Sequence, residues 1–189
     1  MAPLVTERDQ EMELLRGGDS EAWEVVIKRY QMALSQYLYN MVKDKELARD
    51  LTQDTFLKAY QALQRINGSL NLKSWLYRIA TNSAIDVIRR RRLLSWIPWR
   101  DEVATSRQMA NTCEATVVQR ELVRDALKKI PGEYRAVLLL HDNEGFGCQE
   151  IGQLLSISVV TAKRRLARAR VLFREAYKKL DMQKVEKRR

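Results

Sequence analysis

The sequence predicts an all-α protein of two small helical domains joined by an extended linker, and three observations point to it. Only seven Gly and three Pro occur among 189 residues, about half the usual share, so the turns and tight loops of a sheet-rich fold are scarce. Apolar residues recur at the 3.6-residue period of amphipathic helices through most of the chain. One long non-periodic stretch, residues 93–118, separates the periodic segments and is longer than the structureless loops of compact domains. The expected boundaries are a first domain over 1–94, a linker over 95–118 and a second domain over 119–189.

The first helix is expected over Ala22–Met41, where Trp23, Val26, Ile27, Tyr30, Leu34, Tyr37, Leu38 and Met41 form one face. Asp19 or Ser20 caps it after the breaker Gly17-Gly18. The second, Lys45–Leu63, buries Ala48, Thr52, Phe56, Ala59 and Leu63. Asp50, Gln53, Asp54 and Leu57 share another of its faces. A polar break at 66–71 follows, with Asn71 as cap of a third helix over 72–92 whose stripe is Leu72, Trp75, Leu76, Ile79, Ala80, Val87 and Ile88. In the linker, Trp96 and Trp99 flank Pro98 among polar residues. Beyond it the sequence predicts a short helix over 121–130, stopped by Pro131-Gly132, and another over 133–142 with Val137, Leu138 and Leu140 inside. Two closely joined helices complete the chain, 149–155 and 159–180, separated by Ser156-Ile157-Ser158.

Charge and cysteine usage narrow the function. Lys and Arg number 34 against 24 Asp and Glu, a net charge of +10, which suits a nucleic-acid partner. No apolar run approaches the roughly 18 residues of a membrane span, and the N-terminus lacks a basic segment followed by an apolar one, so a cytoplasmic protein is expected. Cys113, Cys148 and the single His141 are too few and too scattered for a zinc site or disulfide framework, and no metal or cofactor is expected.

The clearest constellation is Cys148–Arg170. Ile151, Leu154, Leu155, Ile157, Ala162 and Leu166 have the spacing of a helix-turn-helix, with Ser158 capping the second helix. Such a helix presents its N-terminal residues to base edges in the DNA major groove; here these are Val160, Thr161, Lys163, Arg164, Arg165 and Arg168. From Lys163 to Arg174 every charged residue is basic, as phosphate contact requires. In the first domain, Arg89-Arg90-Arg91-Arg92 closes the third helix, and Asn82 on that helix lies one turn from Arg78 and Asp86. A polar side chain beside a polar loop can hydrogen-bond an unpaired base. Asp50 and Asp54 stand at i, i+4, but no nucleophile, histidine or phosphate loop accompanies them, so general acid/base catalysis is not expected. His141 is expected to be a structural histidine and Trp75 a core residue.

These residues resemble the extracytoplasmic-function sigma factors of bacterial RNA polymerase over nearly the whole chain. Arg16-Gly-Gly-Asp-Ser-Glu-Ala-Trp23 is similar to that family's opening motif, Asp50-Leu-Thr-Gln-Asp-Thr-Phe-Leu-Lys-Ala-Tyr60 and Ser74-Trp-Leu-Tyr-Arg-Ile-Ala-Thr-Asn82 to its next two, Ile130-Pro-Gly-Glu-Tyr-Arg135 to the start of its C-terminal domain, and Glu150-Ile-Gly through Arg170 to its DNA-reading helix-turn-helix. Val160 and Ala162 depart from the Gly and Val common in the family, which bears on the −35 sequence read rather than on the role.

The resemblance implies a region 2 domain and a region 4 domain, and a role as a promoter-specificity subunit rather than an enzyme. It implies that Asp50, Gln53, Asp54 and Leu57 dock on the clamp helices of the polymerase's largest subunit. It implies that Ile66, Asn67, Gly68, Ser69, Leu70 and Asn71, with Asn82, Arg89 and Arg90, engage the −10 element and its flipped base. The helix beginning at Val159 would read the −35 duplex, the linker would thread toward the active-site and RNA-exit channels, and the basic tail from Lys178 would attract phosphate. The implied partners are core RNA polymerase, including the flap of the second-largest subunit, promoter DNA and an anti-sigma protein. The alternative is a stand-alone helix-turn-helix regulator, which would need a dimerising face and spaced half-sites.

Overall fold

The computed structural model describes residues 7–66, 70–94 and 114–186, and these contain eight α-helices and no strand. They are α1 (Glu7–Arg16), α2 (Ser20–Val42), α3 (Lys45–Leu63), α4 (Leu72–Leu94), α5 (Glu114–Lys129), α6 (Gly132–Asp142), α7 (Cys148–Leu155) and α8 (Val159–Glu186). The expected all-α class is observed. None of the described helices is long and apolar enough to cross a membrane. The chain forms two compact units: the first holds α1–α3, α4 as far as Ala84, and Gln153–Ser156; the second holds the rest of α4 from Ile85, α5, α6, α7 as far as Gly152, and the chain from Ile157 on, with α8.

In the first unit, α1 was not anticipated, and it contributes Met12 and Leu15 to the core. Its C-terminus explains the motif that opens the resemblance. Gly18, at φ +77, takes the left-handed conformation that ends a helix without a Cβ penalty. The Gly18 and Asp19 amides then donate back to the carbonyls of Leu15 and Leu14 at 3.2 and 3.1 Å. Asp19 in turn caps α2 by accepting from the Ala22 amide at 2.8 Å, and the buried Trp23 indole donates to the Leu15 carbonyl at 3.0 Å. Three residues thus close the end of one helix and start the next. The turn from α2 to α3 is shorter still: Lys43, at φ 60, ends α2, and Asp44 caps α3 by accepting from Leu47 at 3.0 Å.

The core of this unit follows the apolar stripes, with a polar insertion. Trp23, Val26, Leu34, Tyr37, Leu38 and Met41 of α2 are buried, as are Ala48, Thr52, Phe56, Ala59 and Leu63 of α3. Trp75 is only half-buried, and the fully buried aromatic of α4 is its neighbour Tyr77. Thr81 donates to the Tyr77 carbonyl at 2.6 Å, so the Tyr37 hydroxyl must be the donor in its 2.7 Å bond to Thr81. The Tyr37 and Tyr77 rings meet edge to face at 5.2 Å. Every hydroxyl in this cluster that is short of water has a partner, which is the condition for burying it.

In the second unit, α5 starts at Glu114, so residues 114–118, expected in the linker, are helical. Residues 95–113 of the linker, including Trp96, Trp99 and Cys113, lie outside the described residues. Leu122, Ala126, Leu127 and Ile130 of α5 and its end pack with Ala136–Leu140 of α6 and Ala162, Leu166 and Ala169 of α8. Pro131 ends α5, leaving carbonyls in its last turn without helical donors. Arg135 supplies them: only 7% exposed, it donates to the carbonyls of Lys128 at 3.0 Å and Ile130 at 2.9 Å. Burial lowers its guanidinium to about 10, which leaves it charged at neutral pH.

This role yields a prediction. Arg135→Met preserves bulk but leaves two buried carbonyls without that donor, and should destabilise the second unit by about 1–3 kcal/mol. Urea unfolding followed by amide exchange in α5 and α6 measures it; unchanged protection there would refute the capping role.

Candidate nucleic-acid interface

The helix-turn-helix of the second unit is built by a turn that has one way to close. Gly147 caps α7, and the Glu150 carboxylate reaches back to its amide at 2.8 Å, half of a capping box. At the other end Ser156 adopts φ 55, and the amides of Ser156 and Ile157 donate to the carbonyls of Gln153 and Gly152 at 3.4 and 2.9 Å. That pair of bonds is the Schellman termination of a helix. Ser158 then caps α8, accepting from the Thr161 amide at 3.1 Å, and its hydroxyl meets the Thr161 hydroxyl at 2.9 Å. The chain reverses so tightly that a Cβ on Gly152 would lie 3.0 Å from the Ile157 carbonyl oxygen. Ile151, Leu154, Ala162 and Leu166 are buried beneath the turn as expected, while Leu155 and Ile157 are half-buried.

Two ion pairs hold α8 against α6. Arg165 meets Glu133 at 3.0 Å and Arg170 meets Asp142 at 2.6 Å. His141 Nδ1 lies 2.7 Å from the same Asp142, in keeping with a structural histidine. Burial alone would raise the Asp142 carboxyl, but the hydrogen bonds and charge of Arg170 and His141 hold it below its ordinary value. The six candidate −35 residues therefore divide. Thr161 is engaged in the cap and Arg165 in an ion pair, whereas Val160, Lys163, Arg164 and Arg168 are exposed. Among the described residues, Lys163, Arg164 and Arg168 enter no ion pair within the protein.

Beside these pairs, α5, α6 and α8 enclose a groove of about 500 Å³ that the sequence did not reveal. Its floor is Val123, Leu127, Leu138, Leu139 and Phe173, and Arg170 and Arg174 stand at its rim. Leu138 reads from the sequence as an ordinary core position, and only the folded arrangement shows that it also borders open space.

In the first unit, Asp50, Gln53, Asp54 and Leu57 all lie exposed on α3, opposite its buried stripe. Leu57 is 59% exposed. Asp54 pairs with Lys58 at 2.9 Å and Asp50 lies 4.0 Å from Arg49. Exposed pairs of this kind contribute at most about 1 kcal/mol, so the carboxylates can exchange these neighbours for an incoming basic surface. Asn71 caps α4, accepting from the Ser74 amide at 3.1 Å. Ile66 and Leu70 are half-buried, and Asn67, Gly68 and Ser69 lie outside the described residues. Asn82, Arg89 and Arg90 are exposed along α4.

Comparison with known proteins places these features in a family. The family model of sigma-70 region 2 matches residues 26–93, and that of sigma-70, region 4 matches residues 120–172. The chain is 31% identical over 172 residues to RNA polymerase sigma factor CarQ of Myxococcus xanthus, covering 91% of this chain and 98% of CarQ. It is 29% identical over 178 residues to the ECF RNA polymerase sigma factor SigW of Bacillus subtilis, covering 88% of this chain and 94% of SigW. Among solved structures it is similar to CnrH in complex with the cytosolic domain of CnrY, with a TM-score of 0.68 at 23% identity, over 89% of this chain and 95% of that one. It is also similar to the sigma factor RpoE in complex with the anti-sigma factor NepR from Bartonella quintana, at 0.65 and 23%, over 82% and 96%. At that identity the two structures speak for the fold.

The turn geometry sets up a test. Alanine is favoured over glycine inside a helix by about 1 kcal/mol, yet at Gly152 the added Cβ meets a backbone oxygen that the turn holds in place. Gly152→Ala should therefore destabilise the second unit by about 1–3 kcal/mol, read as a lower thermal midpoint; a higher midpoint would mean that the turn yields.

Proposed function

The chain belongs to the RNA polymerase sigma factors, in the extracytoplasmic-function class, and from that membership we propose how its surfaces divide the work of promoter recognition. The factor binds core RNA polymerase, directs it to promoters and promotes strand opening, while bond-making stays with the polymerase. The observation that carries this is the occurrence in one chain of an outward carboxylate and leucine stripe on α3 and a separately capped, cation-faced helix-turn-helix. A stand-alone regulator would need only the second of these.

Residues 1–94 form the domain for polymerase and the −10 element. The face of Asp50, Gln53, Asp54 and Leu57 joins acidic groups to one exposed apolar side chain, and a clamp helix offering basic and apolar residues is its complement. The loop of residues 66–71, with Asn82, takes the edge of a base flipped from the non-template strand. Extrusion costs a few kcal/mol of unstacking, so a pocket that recovers this from one base selects sequence and melting together. Arg89 and Arg90 hold the adjacent phosphates.

In the second unit, residues 119–189, α8 enters the major groove of the −35 element, and the groove rimmed by Arg170 and Arg174 receives an apolar segment of the polymerase flap. The linker between the domains passes through the polymerase channels. An anti-sigma protein is the third partner we propose; RpoE of Bartonella quintana, alike in fold, is bound to one.

Substitution of Asp50 and Asp54 by Ala should lower affinity for core polymerase at least tenfold and leave the thermal midpoint within a few degrees, because both side chains are exposed. Unchanged affinity in a polymerase titration would overturn the docking assignment. Asn82→Ala should retain polymerase binding but slow open-complex formation, measured by permanganate reactivity of the −10 thymines. Unaltered promoter preference and opening would remove Asn82 from the base pocket.

A further inference from the structure

The exposure pattern along α8 distinguishes its residues more finely than their charge does. Ala162 and Ala169 are fully buried and Leu166 is 6% exposed, which fixes the inward line of the helix. On the opposite side, at i, i+4 and i+8, stand Val160, Arg164 and Arg168, all exposed. Thr161 and Arg165, one residue further round, are occupied by Ser158 and Glu133.

Val160 is the anomaly in this row. It is 76% exposed, it sits in the first turn of the helix, and it is β-branched, a type that gains little from helical backbone. Burial does not account for it, and neither does propensity. Its place is instead that of a base-contacting residue, since the N-terminal turn of a recognition helix approaches the base edges most closely. In the major groove only thymine offers an apolar group, its C5 methyl.

We propose that Val160 is a specificity-determining residue that reads a thymine methyl in the −35 duplex. Arg164, four residues on, reads a guanine about two base pairs away through its O6 and N7. The spacing follows from geometry: four residues of helix rise about 6 Å, close to two base-pair steps of about 3.4 Å. The inference rests on the assignment of α8 to the −35 element made above.

The test uses holoenzyme assembled from the full chain and core polymerase, presented with promoters randomised at the −35 element. Wild-type holoenzyme should enrich a thymine at one position and a guanine about two positions away. Val160→Ser, at an exposed site and with its thermal midpoint checked against wild type, should lose the thymine preference alone; Arg164→Ala should lose the guanine alone. Replacing that thymine by deoxyuridine removes only the methyl, and should weaken binding by wild-type holoenzyme about three- to fivefold while leaving Val160→Ser unaffected. If Val160→Ser selects the same base as wild type, or deoxyuridine binds as thymine does, the proposal is wrong. If Val160→Ser weakens polymerase binding instead, the valine belongs to a protein interface and the proposal is again wrong. Should wild-type holoenzyme enrich no −35 sequence at all, the assignment of α8 fails first and this inference falls with it.

Discussion

The Ile157 amide donates to the Gly152 carbonyl across a turn of four residues, and the orientation of the DNA-facing helix depends on that bond. It forms because Ser156 accepts a left-handed backbone and because Gly152 has no Cβ to strike the Ile157 carbonyl. Ser158 immediately begins the next helix, so no spare residue is left to let the two axes drift. The ion pairs from Arg165 to Glu133 and from Arg170 to Asp142 then fix the rotation of α8 about its own axis. Each pair is partly exposed and individually weak. Their effect is selective rather than stabilising: they remove two cations from the outward set and leave Lys163, Arg164 and Arg168 exposed on the helix proposed to meet the duplex.

The same economy governs the first unit. Gly18, Asp19 and Trp23 close α1 and open α2, Lys43 and Asp44 join α2 to α3 directly, and Asn71 starts α4. In the second unit Arg135 completes the end of α5 from within the core. A helix end buried without partners is costly, so the positions that supply those partners admit few residue types. Several of the motif residues that make the chain resemble its family are therefore structural. The faces proposed above as functional are ones these closures leave pointing outward: Asp50, Gln53, Asp54 and Leu57 on α3, Asn82 on α4, and Val160 and Arg164 on α8.

That division also explains what could be read from the sequence. Wherever an apolar stripe was long, as in α2 and α3, extent and core were legible almost to the residue, and Lys45–Leu63 was matched at both ends. The short helices α6 and α7, bounded by clear turn residues, were also read to within one residue, whereas α1, the start of α5 and the end of α8 were missed. α1 buries Met12 and Leu15 but exposes Leu14 among charged residues, so no stripe stands out, and the start of α5 is rich in Thr and Val, which disfavour helix intrinsically. The end of α8 was read six residues short because Asp181-Met-Gln-Lys carries helix formers but no stripe. Thr81 and Tyr77 were missed as core because their burial rests on Tyr37 from another helix, through a hydrogen bond to Thr81 and an edge-to-face ring contact with Tyr77. At the site, residue type and spacing identified the outward faces, but not which cations the fold had already engaged. Glu133 lies more than thirty residues from Arg165 in sequence, and nothing local announces their contact.

A promoter-specificity subunit must confer specific initiation on a polymerase that lacks it. The direct measurement is run-off transcription from a promoter library by bacterial core RNA polymerase, with and without the purified chain. Discrete transcripts that depend on the chain and share two spaced upstream elements are the predicted result. Transcripts that are indifferent to the chain, with the chain binding duplex DNA as a dimer at paired half-sites, would contradict it.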